Sequence, residues 1–187
     1  MILKDRLTIK ANDDNIRELV KDKTDENLNY IDTTNVTDMT DLFFSSKFNG
    51  DVSRWNISNV TNIKYMFGGT VFDGDISKWD VRQVINMDGV FEFSKFNQDI
   101  SPWDVSSVKT THNMFNCSYF NGDISRWDVS KIRDMRYMFY KALFNQDISR
   151  WDVSNVTNME YMFYKSKFNQ DISRWTINPK CITHNLS

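Results

Sequence analysis

Few side chains in this sequence could carry out covalent chemistry. The 187 residues include two histidines, His112 and His184, and two cysteines, Cys117 and Cys181. A general base or a thiolate nucleophile works only when a concave site holds it within hydrogen-bond reach of its partners. The sequence has no nucleotide-binding glycine loop and no Gly-x-Ser-x-Gly motif. This inventory predicts a protein that is not an enzyme and that uses no cofactor.

The positions equivalent to His112 and Cys117 support that prediction. Positions a multiple of 24 residues from His112 carry Thr40, Lys64, Asp88, Arg136 and Glu160. Positions related in the same way to Cys117 carry Ser45, Gly69, Phe93, Lys141 and Lys165. Such mixed chemistry is typical of exposed positions, so we expect a solvated histidine and an ordinary outer cysteine. The two cysteines also lack the spacing of a disulfide framework or a zinc site.

Carboxylates are abundant enough to raise the question of a metal ion. Asp73-Gly74-Asp75 resembles part of a calcium loop, but no glutamate follows at the loop spacing. The carboxylates also recur in register along the chain, whereas a dedicated metal or catalytic site occurs once. We therefore expect no metal, and we interpret these aspartates as acceptors for backbone amides in turns.

Recurrence is the dominant feature of the sequence. Tryptophan occurs at intervals of 24 residues, as Trp55, Trp79, Trp103, Trp127, Trp151 and Trp175. Phenylalanine keeps the same interval, as Phe48, Phe72, Phe96, Phe120, Phe144 and Phe168. Self-similarity at a fixed period indicates a repeat architecture, in which each unit buries its apolar residues against its neighbours. Each 24-residue repeat is called a unit below, and a set of equivalent positions is called a column.

Within one unit, the apolar spacing predicts a strand followed by a helical segment. Ile148, Trp151 and Val153 follow the L-x-x-L-x-L spacing of leucine-rich repeats, in which a short strand carries the last two. Apolar residues then recur at helical spacing over residues 156–163. The predicted fold class is an α/β repeat solenoid, leucine-rich-repeat-like, with about seven short parallel strands on one face and short helices or 3-10 turns on the other. A WD-repeat propeller is excluded, because each blade needs about 40–45 residues.

The chain divides into three predicted parts. Residues 1–27 form an N-terminal cap, with an edge strand over 6–10 and an amphipathic capping helix over 13–23. Residues 28–177 form the solenoid of 24-residue repeats, and residues 178–187 form a C-terminal tail. Because Pro179 stops the pattern and no second cap follows, we expect the C-terminal edge of the solenoid to be poorly covered.

The repeat resembles a known family. The motif F-N-x-D-I-S-x-W-D-V-S-x-V-x-x-M-x-x-M-F over residues 28–177 is similar to the BspA-like leucine-rich repeat proteins. That resemblance implies a solenoid fold and, in many members, surface display with adhesion or protein-binding roles. This chain lacks a visible lipoprotein or secretion signal, since Lys4, Asp5 and Arg6 interrupt the first apolar residues. On its own sequence it fits a cytoplasmic protein, so the compartment stays open.

The charge balance narrows the class of partner. The 23 basic and 25 acidic residues give a net charge of −2, which does not suggest a nucleic-acid partner. No stretch of 18 apolar residues occurs, so we expect no membrane insertion. A protein partner and self-association remain as the expected interactions.

Two surfaces are candidates for binding a protein. The residues flanking each tryptophan should point outward from the strand face, as Arg54, Lys78, Asp80, Asp104, Arg126, Asp128, Arg150, Asp152 and Arg174. They form either a self-neutralising sheet of salt bridges or a charged recognition strip, and Pro102 predicts a local irregularity in the basic column. The helix side carries a candidate aromatic patch of Tyr65, Tyr137, Tyr140, Tyr161 and Tyr164, which either binds a partner or only covers the helix flank.

Two functional hypotheses follow. The first is a non-enzymatic protein-interaction module, used for adhesion or partner binding through a repeat surface. The second is a structural or assembly protein that self-associates through its uncapped C-terminal solenoid edge.

Overall fold

The computed structural model describes residues 8–186, in which consecutive 24-residue units lie side by side. One column carries a series of single-residue parallel bridges, each joining a unit to the next. The bridged pairs are Asp38 with Asn62, Asn62 with Asn86, Asn86 with Thr110, Thr110 with Asp134, Asp134 with Asn158 and Asn158 with Ile182. Backbone hydrogen bonds therefore tie each unit to its sequence neighbour.

Regular secondary structure is confined to the N-terminal region of the described residues. Strand β1 spans Ile9–Asn12, helix α1 spans Ile16–Val20 and strand β2 spans Ile31–Asn35. The two strands pair in parallel, with an irregularity between Lys10 and Asn12. The strand β2 forms in the first unit, where β-branched Ile31 and Thr33 stand at the columns of Trp and Val, which favours an extended backbone.

The predicted α/β solenoid with about seven parallel strands is wrong. Residues 8–186 contain a single two-stranded sheet, one five-residue helix and otherwise turns and isolated bridges. The Trp-Asp-Val segment forms two successive turns, closed by Trp151 N–H to Ile148 O at 3.1 Å and by Val156 N–H to Val153 O at 3.0 Å. The backbone bends there because Asp152 Oδ1 accepts the N–H of Ser154 at 3.0 Å, which is turn chemistry.

The predicted short helices on the other side are also absent from the described units. Met66 N–H bonds to Ile63 O within the unit, but the next amide, Phe67 N–H, bonds to Val90 O of the following unit at 3.0 Å. Alternate backbone N–H groups therefore bond to the following unit, whereas in an α-helix each N–H would bond to the carbonyl four residues earlier. Two residues of each such segment, for example Tyr161 and Lys165, have φ values of 54° and 57°. We call this segment the double turn.

The buried aromatic side chains stack as ladders that run from unit to unit. Phe72 stacks on Phe67 of its own unit with ring centroids 4.0 Å apart, and on Phe96 of the next unit at 6.1 Å. Each tryptophan indole N–H donates to a carbonyl 27 residues earlier, as Trp79 does to Val52 O at 3.1 Å. The buried aromatic columns therefore join units by apolar contact, and the indoles add a polar bond at every step.

Both ends of the repeat region differ from the prediction. The helix α1 is shorter than the predicted 13–23, β1 begins three residues later than the predicted strand, and residues 6 and 7 lie outside the described residues. The tail continues the double-turn pattern, because Phe163 N–H bonds to Leu186 O at 2.8 Å. One side of the last unit is therefore covered by the tail. No helix in residues 8–186 combines the length and the apolar character that crossing a membrane requires.

Candidate functional site

The basic residues of the predicted charged strip lie on a regular series of turns. Arg54, Lys78, Arg126, Arg150 and Arg174 are all exposed, and each precedes a buried tryptophan. The tryptophan N–H closes each turn onto the carbonyl three residues earlier, at 3.0–3.1 Å. The basic side chains therefore form an outward row, although their backbone is not a strand.

A column of aspartates, absent from the predicted site, lies beside this basic row. Asp147 Oδ1 accepts the N–H of Ser149 at 2.9 Å. Hydrogen bonds from Ser149 hold the pKa of the Asp147 carboxyl below its usual value, and the positive charges of Arg150 and Arg174 lower it further. The sequence signal for this column was the recurring Asp-x-Ser-basic motif, which places an aspartate three residues before each basic residue of the row. We call these turns the acid–base face, and their shallow clefts include one lined by Asp147, Ser149, Gln170, Asp171 and Arg174.

The acidic members of the predicted strip have a different role. Asp104, Asp128 and Asp152 are exposed and Asp80 is half-buried. Each accepts the backbone N–H two residues on, at 3.0–3.2 Å. Within residues 8–186 the ion pairs are Lys21–Glu18, Lys23–Glu26, Arg82–Asp80 and Arg136–Asp134. None of these four ion pairs joins the basic row to the acidic members of the predicted strip, so the predicted sheet of salt bridges between them does not form.

The irregularity predicted at Pro102 is absent. Trp103 N–H bonds to Ile100 O at 3.1 Å, the same distance as for the equivalent turn that Trp127 closes on Ile124. Pro102 occupies a turn position and removes no bond between units, so the turn tolerates it.

Four of the five predicted tyrosines form one cluster. Tyr137 stacks on Tyr161 with ring centroids 5.1 Å apart, and Tyr140 stacks on Tyr164 at 5.9 Å. Edge-to-face contacts at 5.4–6.4 Å connect the two stacks. All four rings are partly exposed. We call these four residues the tyrosine cluster.

Cations and a histidine border the tyrosine cluster. Lys141 Nζ lies 5.0 Å from the ring centre of Tyr140, and Lys165 Nζ lies 5.2 Å from that of Tyr164. The His184 ring meets Tyr161 edge-on at 5.8 Å. Burial raises the pKa of the Tyr137 hydroxyl, and the neighbouring Tyr161 adds to the effect. The cluster therefore presents tyrosine hydroxyls with the positive charges of Lys141 and Lys165 beside them.

Tyr65 stands apart from the cluster. It lies three units before Tyr137, where it packs edge-on against Phe44 at 5.6 Å and lies against Gly89. Of the five predicted tyrosines, four therefore lie together in two consecutive units, and Tyr65 does not join them.

His112 and Cys117 are less exposed than their columns indicated. His112 is half-buried, burial lowers the pKa of its imidazole, and its ring lies 6.1 Å from that of Tyr137. Cys117 is half-buried as well, and burial raises the pKa of its thiol. A raised pKa leaves less thiolate at neutral pH, which is opposite to the tuning of a catalytic cysteine.

Exposed apolar side chains form a feature that the sequence prediction missed. Val71, Tyr119 and Leu143 share one column and are exposed, and Phe93 is exposed beside them. That column follows the double turn. The alternation of lysines with large apolar residues in it was the available signal.

The repeat also identifies a family. Residues 14–119 and 92–185 match the family model described as "Mycoplasma protein of unknown function, DUF285". The chain belongs to this family. The two DUF285 matches overlap over residues 92–119, as expected for a repeat that fits the same model in more than one register. No curated protein and no solved structure matches the chain.

Proposed function

We propose that this DUF285 chain is a non-enzymatic protein-interaction module that binds a protein partner through the tyrosine cluster. One observation carries the proposal. Two consecutive units place Tyr137, Tyr140, Tyr161 and Tyr164 in a single group of stacked and edge-on rings on a partly exposed surface. Tyrosine contributes large contact area and a hydroxyl at low cost in conformational entropy, which is why it is enriched in binding hot spots.

The geometry of the cluster reduces the cost of binding. Because each ring already rests on two or more others, little side-chain freedom remains to be lost when a partner arrives. Lys141 and Lys165 add donors at the margin of the cluster, 5.0 and 5.2 Å from the ring centres. A partner that offers an apolar centre with acceptors around it is the chemical complement of this surface.

The resemblance to the BspA-like family supports the same function, because adhesion or protein binding is what that resemblance implies. Surface display would give such a module access to its partner. The acid–base face is a second contact surface in this proposal, through its exposed row of Arg54, Lys78, Arg126, Arg150 and Arg174.

The test compares two tyrosines of the same column. Tyr161 lies at the centre of the cluster and Tyr65 lies outside it, and both have φ near 50°. Asn113 and Asn185 occupy the same column with φ of 60° and 50°, so asparagine fits this backbone. Proteins captured from a mycoplasma extract by the wild type are identified, purified singly and titrated against wild type, Tyr161→Asn and Tyr65→Asn.

We expect Tyr161→Asn to weaken the affinity about tenfold or more, which is typical of an aromatic hot spot. Tyr65→Asn should change it less than about twofold, within the range of a residue outside the interface. A partner that binds all three proteins equally would contradict the role of the cluster. Failure of the wild type to retain any protein against the bare resin would contradict the proposal itself.

A second candidate function is assembly through the last unit. Phe168, Ile172 and Ile177 are only partly buried, whereas Phe144, Ile148 and Val153 in the preceding unit are fully buried. Partly exposed core positions could pack on a second copy. Light scattering across a concentration series tests this, since assembly requires a mass that rises with concentration and that Ile172→Lys abolishes.

A further inference from the structure

The last residue of each double turn and the two residues after it form an edge along the protein. It consists of the three-residue segments 45–47, 69–71, 93–95, 117–119, 141–143 and 165–167. Backbone bonds tie the last four segments to one another: Tyr119 N–H to Ser94 O at 3.2 Å, Leu143 N–H to Ser118 O at 3.1 Å and Lys167 N–H to Ala142 O at 3.0 Å. Five steps at the usual spacing of about 4.8 Å between paired backbones make the edge about 24 Å long. We call it the lysine edge.

The lysine edge carries only positive charge, in four of its six segments. None of its six segments contains Asp or Glu, and it carries Lys47, Lys95, Lys141, Lys165 and Lys167. All five are exposed, and none takes part in the ion pairs found within residues 8–186. Among nearby carboxyls, Asp73 lies two residues beyond Val71, and Glu92 is buried with a raised pKa. The net charge of −2 for the whole chain conceals this local excess of positive charge.

Large apolar side chains protrude between these lysines. The exposed fractions are 45% for Val71, 62% for Phe93, 57% for Tyr119 and 43% for Leu143. Aligned apolar residues that remain this exposed usually mark a contact surface, because burying them would be favourable. The core columns of the same units are almost fully buried, so these four are exceptions to the packing of the repeat.

We propose that the lysine edge docks the protein onto an anionic lipid surface. The ammonium groups pair with headgroup phosphates and carboxylates, while Phe93, Tyr119 and Leu143 enter the boundary between headgroups and acyl chains. Interleaved lysine and aromatic or aliphatic residues are the combination that binds such interfaces. An acidic polypeptide would pair with the ammonium groups but would leave Phe93 and Leu143 in water, whereas a lipid surface also buries these exposed apolar side chains. The lysine edge shares Lys141 and Lys165 with the margin of the tyrosine cluster, whereas Lys47, Lys95 and Lys167 belong to the edge alone, and the docking would leave the acid–base face free.

Sedimentation with vesicles tests the proposal. The wild type is mixed with vesicles of phosphatidylcholine alone and with vesicles containing about 30% phosphatidylserine, an anionic lipid. Two variants address the two components of the edge: Lys95→Glu/Lys167→Glu reverses charge, and Phe93→Ser/Tyr119→Ser removes apolar surface. Lys109→Glu/Lys131→Glu is the matched control, because both lysines are exposed and lie at another corner of the unit. All four proteins should show the same tryptophan fluorescence, since the substituted side chains are exposed and the indoles are buried.

We expect binding to the anionic vesicles and little binding to phosphatidylcholine alone. The partition coefficient should fall at least about tenfold in Lys95→Glu/Lys167→Glu and several-fold in Phe93→Ser/Tyr119→Ser, while the control keeps more than about half of it. Raising the ionic strength from about 0.1 M to about 1 M should release the wild type, because the screening length shortens from about 10 Å to about 3 Å.

Two results would overturn the proposal. One is equal binding of the wild type and Lys95→Glu/Lys167→Glu to anionic vesicles. The other is no binding of the wild type to those vesicles, and in that case fluorescent poly-glutamate and single-stranded DNA are titrated next. Retention of either polymer by the wild type and not by Lys95→Glu/Lys167→Glu would assign the lysine edge to that class of macromolecule in place of lipid.

Discussion

The side-chain amide of Asn116 donates a 2.7 Å hydrogen bond to Oε1 of Glu92, its equivalent in the preceding unit. Both side chains are buried, each with 9% exposed. Burial raises the pKa of Glu92, and within the described residues Asn116 Oδ1 is buried without a partner. A neutral Glu92 carboxyl has a hydroxyl to donate, which the charged form lacks, and its Oε1 can still accept the Asn116 amide. Burying a charge here costs stability that a neutral side chain would retain.

We predict that Glu92→Gln stabilises the protein at pH 7. A carboxyl with a raised pKa in the folded state supports stability below its unfolded pKa of about 4.3 and loses that support as pH rises through the folded value. Glutamine keeps the acceptor for Asn116 and adds a donor for Asn116 Oδ1. The gain should be on the order of 1 kcal/mol at pH 7 and should vanish near pH 4. Urea unfolding of both proteins across this pH range measures it.

The control for this prediction is Glu160→Gln. Glu160 is half-buried, so water reaches its side chain, and its carboxylate accepts a hydrogen bond from Asn158 Nδ2 at 3.3 Å. We expect no comparable gain there. A Glu92→Gln protein less stable than the wild type at pH 7 would show that the Glu92 charge is stabilised in a way that the contacts described here do not include.

The turn aspartates should have the opposite dependence on pH. Hydrogen bonds from the serine two residues on lower the pKa of Asp123, Asp147 and Asp171 in the folded protein. Their contribution is therefore present above the unfolded pKa of about 3.9 and is lost as pH falls through the lower folded values. We predict that the wild type loses stability between about pH 4 and pH 2, and that Asp123→Asn/Asp147→Asn/Asp171→Asn loses much less. Thermal unfolding of both proteins, followed by circular dichroism at about pH 2, 3, 4 and 6, measures this difference in stability.

Asparagine keeps the side-chain oxygen that accepts the serine N–H, so this triple variant removes three negative charges and keeps the turns intact. The charge-matched control is Asp14→Asn/Asp22→Asn/Asp41→Asn, at three exposed positions outside the Asp-x-Ser turns. An identical acid dependence in both triple variants would mean that total charge, and not the turn carboxylates, governs acid unfolding.

Residue type and period were sufficient to predict that the apolar columns are buried, but not that Glu92 and Asn116 are buried. The tryptophan, phenylalanine and aliphatic columns are buried because apolar residues recur at fixed positions, and every unit has to bury them against its neighbours. For the same reason the outward row of Arg54, Lys78, Arg126, Arg150 and Arg174 was predictable. The tyrosine cluster followed as well, since Tyr137 and Tyr161 share a column, as do Tyr140 and Tyr164.

The backbone could not be predicted in the same way. Apolar residues at helical spacing predict a helix, yet Tyr161, Phe93 and Lys141 adopt φ of 52–54°, a conformation rare for such residues. They are held there because alternate amides bond to the next unit, which is a tertiary effect. Gly89 and Asn113 occupy the same column as Tyr161 and were the signal for this conformation. In the Trp-Asp-Val segment, the aspartate that bends the chain was interpreted as an outward strand residue.

The indole bonds should contribute measurably in the interior units. Trp127 Nε1 donates to Ile100 O at 3.2 Å, and its ring stacks on Trp103. We predict that Trp127→Phe costs about 1–3 kcal/mol, because it removes one of the two donors to Ile100 O, the other being Trp103 N–H, and opens a small cavity. Trp175→Phe should cost less, because Trp175 is 8% exposed, against 4% for Trp127, so water reaches the space left by the indole more easily. A larger loss at Trp175 than at Trp127, in urea unfolding, would contradict this account.

A close approach between Tyr65 and Gly89 gives a last prediction. A Cβ added at Gly89 would fall inside the Tyr65 ring, and Gly89 has a φ of +61°. Gly89→Ala should therefore cost about 1–2 kcal/mol for the left-handed backbone and about 1–3 kcal/mol more for the clash.

Two comparisons separate these contributions to the cost. Gly69→Ala carries the backbone cost alone, because Gly69 has a φ of +67° and its nearest neighbour, Ser45 Oγ, would lie 3.2 Å from the new Cβ. In a Tyr65→Ala background the clash disappears, so Gly89→Ala should then cost no more than Gly69→Ala. The coupling between Tyr65 and Gly89, from a double-mutant cycle in urea, should be about 1–3 kcal/mol. A coupling near zero would mean that the Tyr65 ring moves aside freely, and that the packing of Tyr65 on Gly89 does not constrain this pair of units.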